Sequence, residues 1–371
     1  SYIENAGKVT EYIYVCRQMG IQILPPDINS GIAEFSVKDG KMVYGLSAIK
    51  NIGRNVIAEI VREREKNGAY KSLQDFLERM PGKEVNKRTV ENLILAGAFD
   101  GMEGNRRQKM MVYPEIMANI ATTNRNAMEG QLSLLDFLGE AEKEEFEIKM
   151  PAVEDYNKEE RLAAEKQVLG VYISGHPLED YRKLIEKHAD ATSMDFALDE
   201  ETGEAKVRDQ GSYTLGGMVS ALTLKLTRNN QNMAFVTLED MYGTVEVVVF
   251  PKDFEKYRSV LKQDAKLFIT GRASVSEDEA KLLFGRAEAM DDMPMDIWLQ
   301  FSNREQYEQL ESQMYQIIDQ YPGNSAIKIY VRQEKLRKNL PPGFRMQAAG
   351  EGLEQIRKLL GTENVIVKES E

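Results

Sequence analysis

The sequence predicts a multidomain α+β chain, and three patterns carry that expectation. A helix–turn–helix arrangement occurs twice within residues 42–113. Five strand candidates follow in residues 211–291, with one helix between the third and the fourth. The last stretch, residues 292–371, reads as β-α-β-β-α-β. A length of 371 residues accommodates about two to four domains.

Composition narrows the function classes. A hydrophobic fraction of 42% is ample for packed cores. No apolar run reaches transmembrane length and no charged-then-apolar segment reads as a leader, so a cytoplasmic protein without membrane contact is expected. The lone Cys16 excludes an internal disulfide. With His176 and His188 it makes too small a ligand set for zinc, and no cofactor is expected in this chain. A net charge of −12 argues against a protein coated in nucleic acid, so local charge has to be read segment by segment.

Residues 1–41 read as a helix stopped by Gly20, a short strand Ile21–Leu24 ended by Pro25-Pro26, and the first arm of a hairpin turning at Asp39-Gly40. They are too few for a domain of their own. In residues 42–113, the turn Asn51-Ile52-Gly53 precedes a helix from Arg54 to Lys66 with Val56, Ile57, Ile60 and Val61 on its apolar face. Amides at such a helix start, with the positive end of the dipole behind them, suit a phosphate. A second helix, Asn86–Leu95, leads through Ala96-Gly97-Ala98 to a third after Gly104-Asn105. This segment carries 13 Lys and Arg against 9 Asp and Glu. The residues expected to meet duplex backbone are Lys50, Gly53, Arg54, Lys83, Lys87, Arg88, Gly97, Asn105, Arg106, Arg107 and Lys109. The bland alternative is a pair of structural hairpins with solvated bases. The first hairpin also lacks paired glycines.

In residues 114–165, Gln131-Leu132-Ser133-Leu134-Leu135-Asp136-Phe137 stands in polar sequence and has the form of a docking peptide. A short helix packing Leu132, Leu135 and Leu138 on a neighbour is the alternative. Residues 140–160 hold nine acids and three bases and read as a solvated tether. Residues 166–210 read as a helical connector. Lys158 to Gly175 is expected helical, with Pro177 at the first position of the next helix and His176 structural.

The strand order in residues 211–291 is that of an OB-fold: Tyr213–Thr227, Met233–Glu239, Thr244–Phe250, a helix Pro251–Leu261, Ala265–Val275 and Ala280–Met290. Gly216-Gly217 permits the coil that barrel closure requires. Lys225 and Arg228 by the first hairpin loop could meet a single strand's backbone. Ten bases balance ten acids in residues 212–290, so a purely structural barrel remains an alternative. In residues 292–371 the element order is read as the split pattern of ferredoxin-like folds.

Several stretches resemble one family. Cys16-Arg17-Gln18-Met19-Gly20-Ile21, Leu24-Pro25-Pro26-Asp27-Ile28-Asn29 and Tyr44-Gly45-Leu46-Ser47-Ala48-Ile49-Lys50 closely resemble the α subunit of bacterial DNA polymerase III, a C-family replicative polymerase. The resemblance runs to the last residue and covers about the C-terminal third of that family's length. It implies that residues 1–41 end a fingers-like region and that residues 42–113 form a tandem helix-hairpin-helix module. It also implies that Gln131, Leu132, Leu134, Leu135 and Phe137 bind the sliding clamp, with either Leu135 or Phe137 as the deep anchor. Phe235 matches a base-stacking position, and the C-terminal domain would meet a clamp-loader subunit. No stretch matches the family's catalytic aspartates, so magnesium is expected only for the family's palm domain and this chain is expected to be inactive alone. The competing reading is a stand-alone OB-fold protein that binds single-stranded nucleic acid.

Overall fold

A computed structural model describes residues 6–80, 85–128, 148–199 and 202–370. It divides into two units, residues 1–176 and 177–371.

The first unit opens with helix α1 (Ala6–Gln18) and a small sheet of β1 (Ile23–Leu24), β2 (Ser36–Lys38) and β3 (Lys41–Val43), ordered β1-β3-β2. Asp39 (φ 51°) and Gly40 (φ 74°) make the tight turn between β2 and β3, as the Asp-Gly pair predicts. Four helices follow: α2 (Arg54–Asn67), α3 (Leu73–Arg79), α4 (Lys87–Leu95) and α5 (Arg106–Met128). Val56, Ile57 and Ile60 form the buried face of α2. Helix α3 is absent from the sequence expectation. It starts because the Ser72 side chain accepts from the Asp75 amide, and it buries Leu73, Phe76 and Leu77.

One apolar core runs through the unit, from Val9 and Ile13 through Phe76, Leu93 and Phe99 to Val171 and Ile173. Residues 6–41 share it, so the core has no break at residue 41. Residues 148–153 pack on the same unit. The Ile148 amide donates to Gln74 Oε1 (3.3 Å), Gln108 Nε2 to the Pro151 carbonyl (2.7 Å) and Asn105 Nδ2 to the Val153 carbonyl (3.0 Å). Helix α6 (Lys158–Leu169) follows, opened by an Asn157/Glu160 capping box and ended by Gly170 at φ 78°. The helix expected to run on to Gly175 therefore stops at Leu169, because Gly170 takes the left-handed cap conformation.

In the second unit, Pro177 lies in a turn rather than at the first position of a helix; a 3-10 turn, Glu179–Tyr181, leads into α7 (Arg182–His188). Helix α8 (Ser193–Phe196) is pinned by buried Asp240, which accepts from the Ser193 amide and hydroxyl (both 2.6 Å) and from the Tyr242 and Gly243 amides (2.8 and 2.9 Å).

The barrel is built as the strand pattern predicts. Strands β4 (Ser212–Leu226), β5 (Asn232–Glu239), β6 (Thr244–Val249), β7 (Lys266–Val275) and β8 (Ala280–Ala289) close in the order β4-β5-β6-β8-β7. Helix α9 (Pro251–Tyr257) lies between β6 and β7 in the chain. Inward positions such as Val219, Ala234, Val236, Val247 and Ile269 are fully buried. At Gly217 a Cβ would stand 2.6 Å from Leu238 Cγ and 2.9 Å from the Glu239 carbonyl oxygen, so this position has room for glycine alone.

The C-terminal domain keeps the expected element order with one strand added, but not the split pairing. It comprises β9 (Met295–Phe301), α10 (Arg304–Gln320), β10 (Pro322–Val331), β11 (Leu336–Asn339), β12 (Arg345–Met346), α11 (Glu351–Leu360) and β13 (Val365–Glu369). The sheet order is β11-β10-β9-β13, with β12 also on β10. Strands β9 and β10 are parallel neighbours, so α10 is a direct crossover between adjacent strands. A ferredoxin-like split would have put another strand between them. Met314, Ile318, Leu353 and Ile356 from the two helices pack on Ile297, Leu299, Ile327 and Ile329, all on one face of the sheet.

Candidate nucleic-acid interface

At the first hairpin, Ile49 closes a 3-10 turn and Asn51 takes φ 64°, which reverses the chain into Gly53. Ile52 is buried and fixes the turn from inside. The Lys50 amide donates to the Val168 carbonyl (2.8 Å), and Asn92 Nδ2 donates to the Lys50 carbonyl (2.6 Å). Gly53 is the cap residue of α2 and brings no side-chain acceptor to it. A helix start without such an acceptor leaves its first amides facing outward. Arg54 is exposed beside them. Lys50 is exposed too, with its Nζ donating to the Gln167 carbonyl at 3.0 Å. This turn has the chemistry of a phosphate contact.

The second hairpin is different. Lys87 and Arg88 are exposed in the first turn of α4, and Arg107 is exposed on α5, whereas Lys83 lies outside the described residues. Asn86 caps α4 through the Thr89 amide, 3.0 Å away. Asn105 caps α5: its Oδ1 accepts from the Gln108 amide (2.8 Å) while Gln108 Oε1 accepts from the Asn105 amide (2.7 Å). Gly97 is buried at φ 85°, and the Gly97 and Ala98 amides are engaged by the Ile94 and Leu93 carbonyls.

Two residues expected to contact phosphate are interior. The Arg106 side chain is 4% exposed and forks onto Asp100 (Nη2–Oδ2 2.7 Å, Nε–Oδ1 2.9 Å). Its Nη1 reaches the Leu95 carbonyl (3.0 Å) and Glu165 Oε1 (3.2 Å). Glu165 is fully buried and also accepts from the Ile173 and Ser174 amides (3.1 and 2.9 Å). Lys109 is 1% exposed and donates to the Met102 and Gly104 carbonyls; burial holds its ammonium below the ordinary lysine value. Both cations therefore lock the hairpin from within rather than face a ligand.

On the barrel, residues outside the core alternate with the buried ones. Paired registers place Thr223, Phe235, Val248, Leu283 and Arg272 in one row across β4, β5, β6, β8 and β7. Lys225 Nζ lies 4.5 Å from the Phe235 ring centroid. Arg228 is exposed in the β4–β5 turn. Arg272 is exposed at the far end of the row and escapes a reading of the sequence, since its place beside Leu283 depends on cross-strand register. Lys281 is held by Glu246 and Glu279, each 2.7 Å away.

The peptide Gln131, Leu132, Leu134, Leu135 and Phe137 lies outside the described residues. Among the described residues no cluster of three or more His, Cys, Asp or Glu is placed to hold a metal, and no helix is long and apolar enough to cross a membrane.

A family model described as a helix-hairpin-helix motif matches residues 20–109, and one described as an OB-fold nucleic acid binding domain matches residues 213–286. The curated DNA polymerase III subunit alpha of Bacillus subtilis is 30% identical over 100% of this chain and 32% of its own length. The Vibrio cholerae protein of the same name is 31% identical over 98% of this chain and 31% of its own. That of Borreliella burgdorferi is 33% identical over 76% of this chain and 24% of its own. The chain thus spans about a third or less of the relatives it matches.

Proposed function

The chain belongs to the DNA polymerase III α-subunit family and corresponds to a C-terminal portion of it, with helix-hairpin-helix and OB-fold nucleic-acid-binding domains, and from that premise we propose that it holds DNA and the sliding clamp without joining nucleotides itself. The observation that carries the reading is the outward row on the barrel. It offers a stacking surface at Phe235, with exposed Lys225 beside the ring, Arg228 in the adjoining turn and Arg272 at the far end of the row. That combination suits a single strand passing over the barrel wall, with bases on the ring and phosphates on the cations. The Asn51–Gly53 turn, with Arg54 beside it, would take duplex phosphate. Lys87, Arg88 and Arg107 would add charge without sequence readout.

The peptide at Gln131–Phe137 would dock on the clamp, its Gln at the pocket mouth and Leu135 or Phe137 deepest. Several weak contacts on one chain then act at high effective concentration, which is how a tethered enzyme stays on its template. A clamp-loader subunit is the proposed partner of the C-terminal domain.

Fluorescence anisotropy with labelled single-stranded DNA tests the central claim. The Phe235→Ala/Arg272→Ala variant should bind at least about tenfold more weakly than wild type. Equal affinity would remove the barrel from the interface. Loss of clamp binding in Gln131→Ala/Phe137→Ala would support the peptide's role, and unchanged binding would end it. Nucleotide incorporation by the purified chain would overturn the non-catalytic reading.

A further inference from the structure

The C-terminal sheet packs both its helices on one face. The other face carries Trp298 and Tyr330, with Ile366 directly beside Trp298 on β13 and 38% exposed. A parallel pair such as β9 and β10 is ordinarily covered on both sides. Here no helix of the domain's core covers the second side, which carries aromatic and cationic residues beside Asp296 and Gln300.

The cations are arranged around the rings. Lys368 Nζ lies 4.9 Å from the Trp298 ring centroid and Lys328 Nζ 5.4 Å. Arg337 Cζ lies 5.8 Å from Trp298 and 5.9 Å from Tyr330, so one guanidinium borders both rings. The acid on this face is Asp296, which is buried and paired with Lys328. That leaves Arg337 and Lys368, both exposed, to meet an anionic partner.

We infer that this open sheet face is a second binding surface for single-stranded nucleic acid, with bases stacked on Trp298 and Tyr330 and phosphates on Arg337 and Lys368. Stacking rings bordered by cations are what a single strand requires, and they suit it better than an acidic peptide, which would use the charges and leave the rings idle. The same face indicates that binding is indifferent to sequence. Gln300 and Asn364, whose amides could read base edges, are both tied down by Arg332, at 2.8 and 2.7 Å. The surface lies on a different sheet from the barrel row, so it stands or falls independently of the barrel reading.

Trp298 is the one tryptophan in the sequence, which makes the site its own reporter. Intact chain should be titrated with oligothymidylate while tryptophan emission is followed, and with labelled oligothymidylate by anisotropy. Saturable quenching is expected, weakened at least about tenfold in Arg337→Glu/Lys368→Glu. Both charged positions are exposed, and far-UV circular dichroism of that variant should match wild type. Binding by anisotropy with unchanged emission would overturn the inference while sparing the barrel. Quenching by polyglutamate but not by oligothymidylate would reassign the face to a protein partner. Absence of any binding would overturn it as well.

Discussion

Replacing Arg106 with methionine should cost stability, not DNA affinity. The guanidinium is 4% exposed and satisfies Asp100, the Leu95 carbonyl and Glu165 at once. Removing it leaves Asp100, which is 39% exposed, able to turn to water, so that half of the network costs at most about 1 kcal/mol. Glu165 is fully buried and cannot. Its Oε2 keeps the Ile173 and Ser174 amides, but Oε1 loses its ion-pair partner. Breaking one side of a buried pair costs about 3–5 kcal/mol. The two losses together come to about 3–6 kcal/mol, and at a urea dependence of about 2 kcal/mol per molar the midpoint should fall by about 1.5–3 M, read by far-UV circular dichroism. Adding Glu165→Gln removes the stranded charge while keeping an acceptor for the two amides, and should recover at least about 1 kcal/mol. The exposed neighbour Arg107→Ala should stay within about 0.5 kcal/mol of wild type. A midpoint unchanged by Arg106→Met, together with weaker duplex binding, would refute the reasoning and return Arg106 to the interface.

Three further outcomes follow from the geometry. Gly217→Ala drives a methyl to 2.6 Å from Leu238 Cγ in the barrel wall and should cost about 1–3 kcal/mol in urea unfolding, whereas no loss would mean the wall relaxes freely. Arg54→Glu should weaken duplex binding at every sequence tested and reduce the salt slope by about 0.9 for each phosphate no longer neutralised; an unchanged slope would place the duplex elsewhere. Hydrogen bonds from Lys187 and His188 hold the Glu369 carboxyl below the ordinary glutamate value. A carboxylate lowered by folding stabilises above its unfolded pKa and loses that contribution as pH falls through the folded value. Glu369→Gln should therefore flatten the acid side of the stability–pH curve, and parallel curves for the two proteins would dismiss the interaction.

The barrel is legible in the sequence because its inward strand positions alternate and its loops carry turn residues; each strand ends within one residue of its expected bounds. The Asp39-Gly40 turn is legible for the same reason. The basic cluster misleads because residue type does not fix exposure. Arg106 and Glu165 are 59 residues apart in sequence, and nothing local announces their pairing. Helix α3 is easily passed over although Ser72 and Asp75 supply its start signal. Strand β11 has all four residues exposed, so no apolar alternation marks it. Strand order in the C-terminal sheet depends on which helix crosses which pair, and the same element order fits more than one answer.

The packing of residues 148–153 on the first unit has a topological consequence. Residues on either side of the segment 129–147 belong to one core: Val112, Tyr113 and Ile116 before it, Val168, Leu169 and Ile173 after it. The segment that contains the peptide is thus moored to one body at both of its ends rather than at one. A backbone cut inside residues 129–147 would give two bands under denaturing conditions but one particle in solution. Tension applied through the peptide would be divided between α5 on one side and the Ile148–Val153 seam on the other. Either mooring would hold while the other let go, a redundancy that a terminal tail lacks.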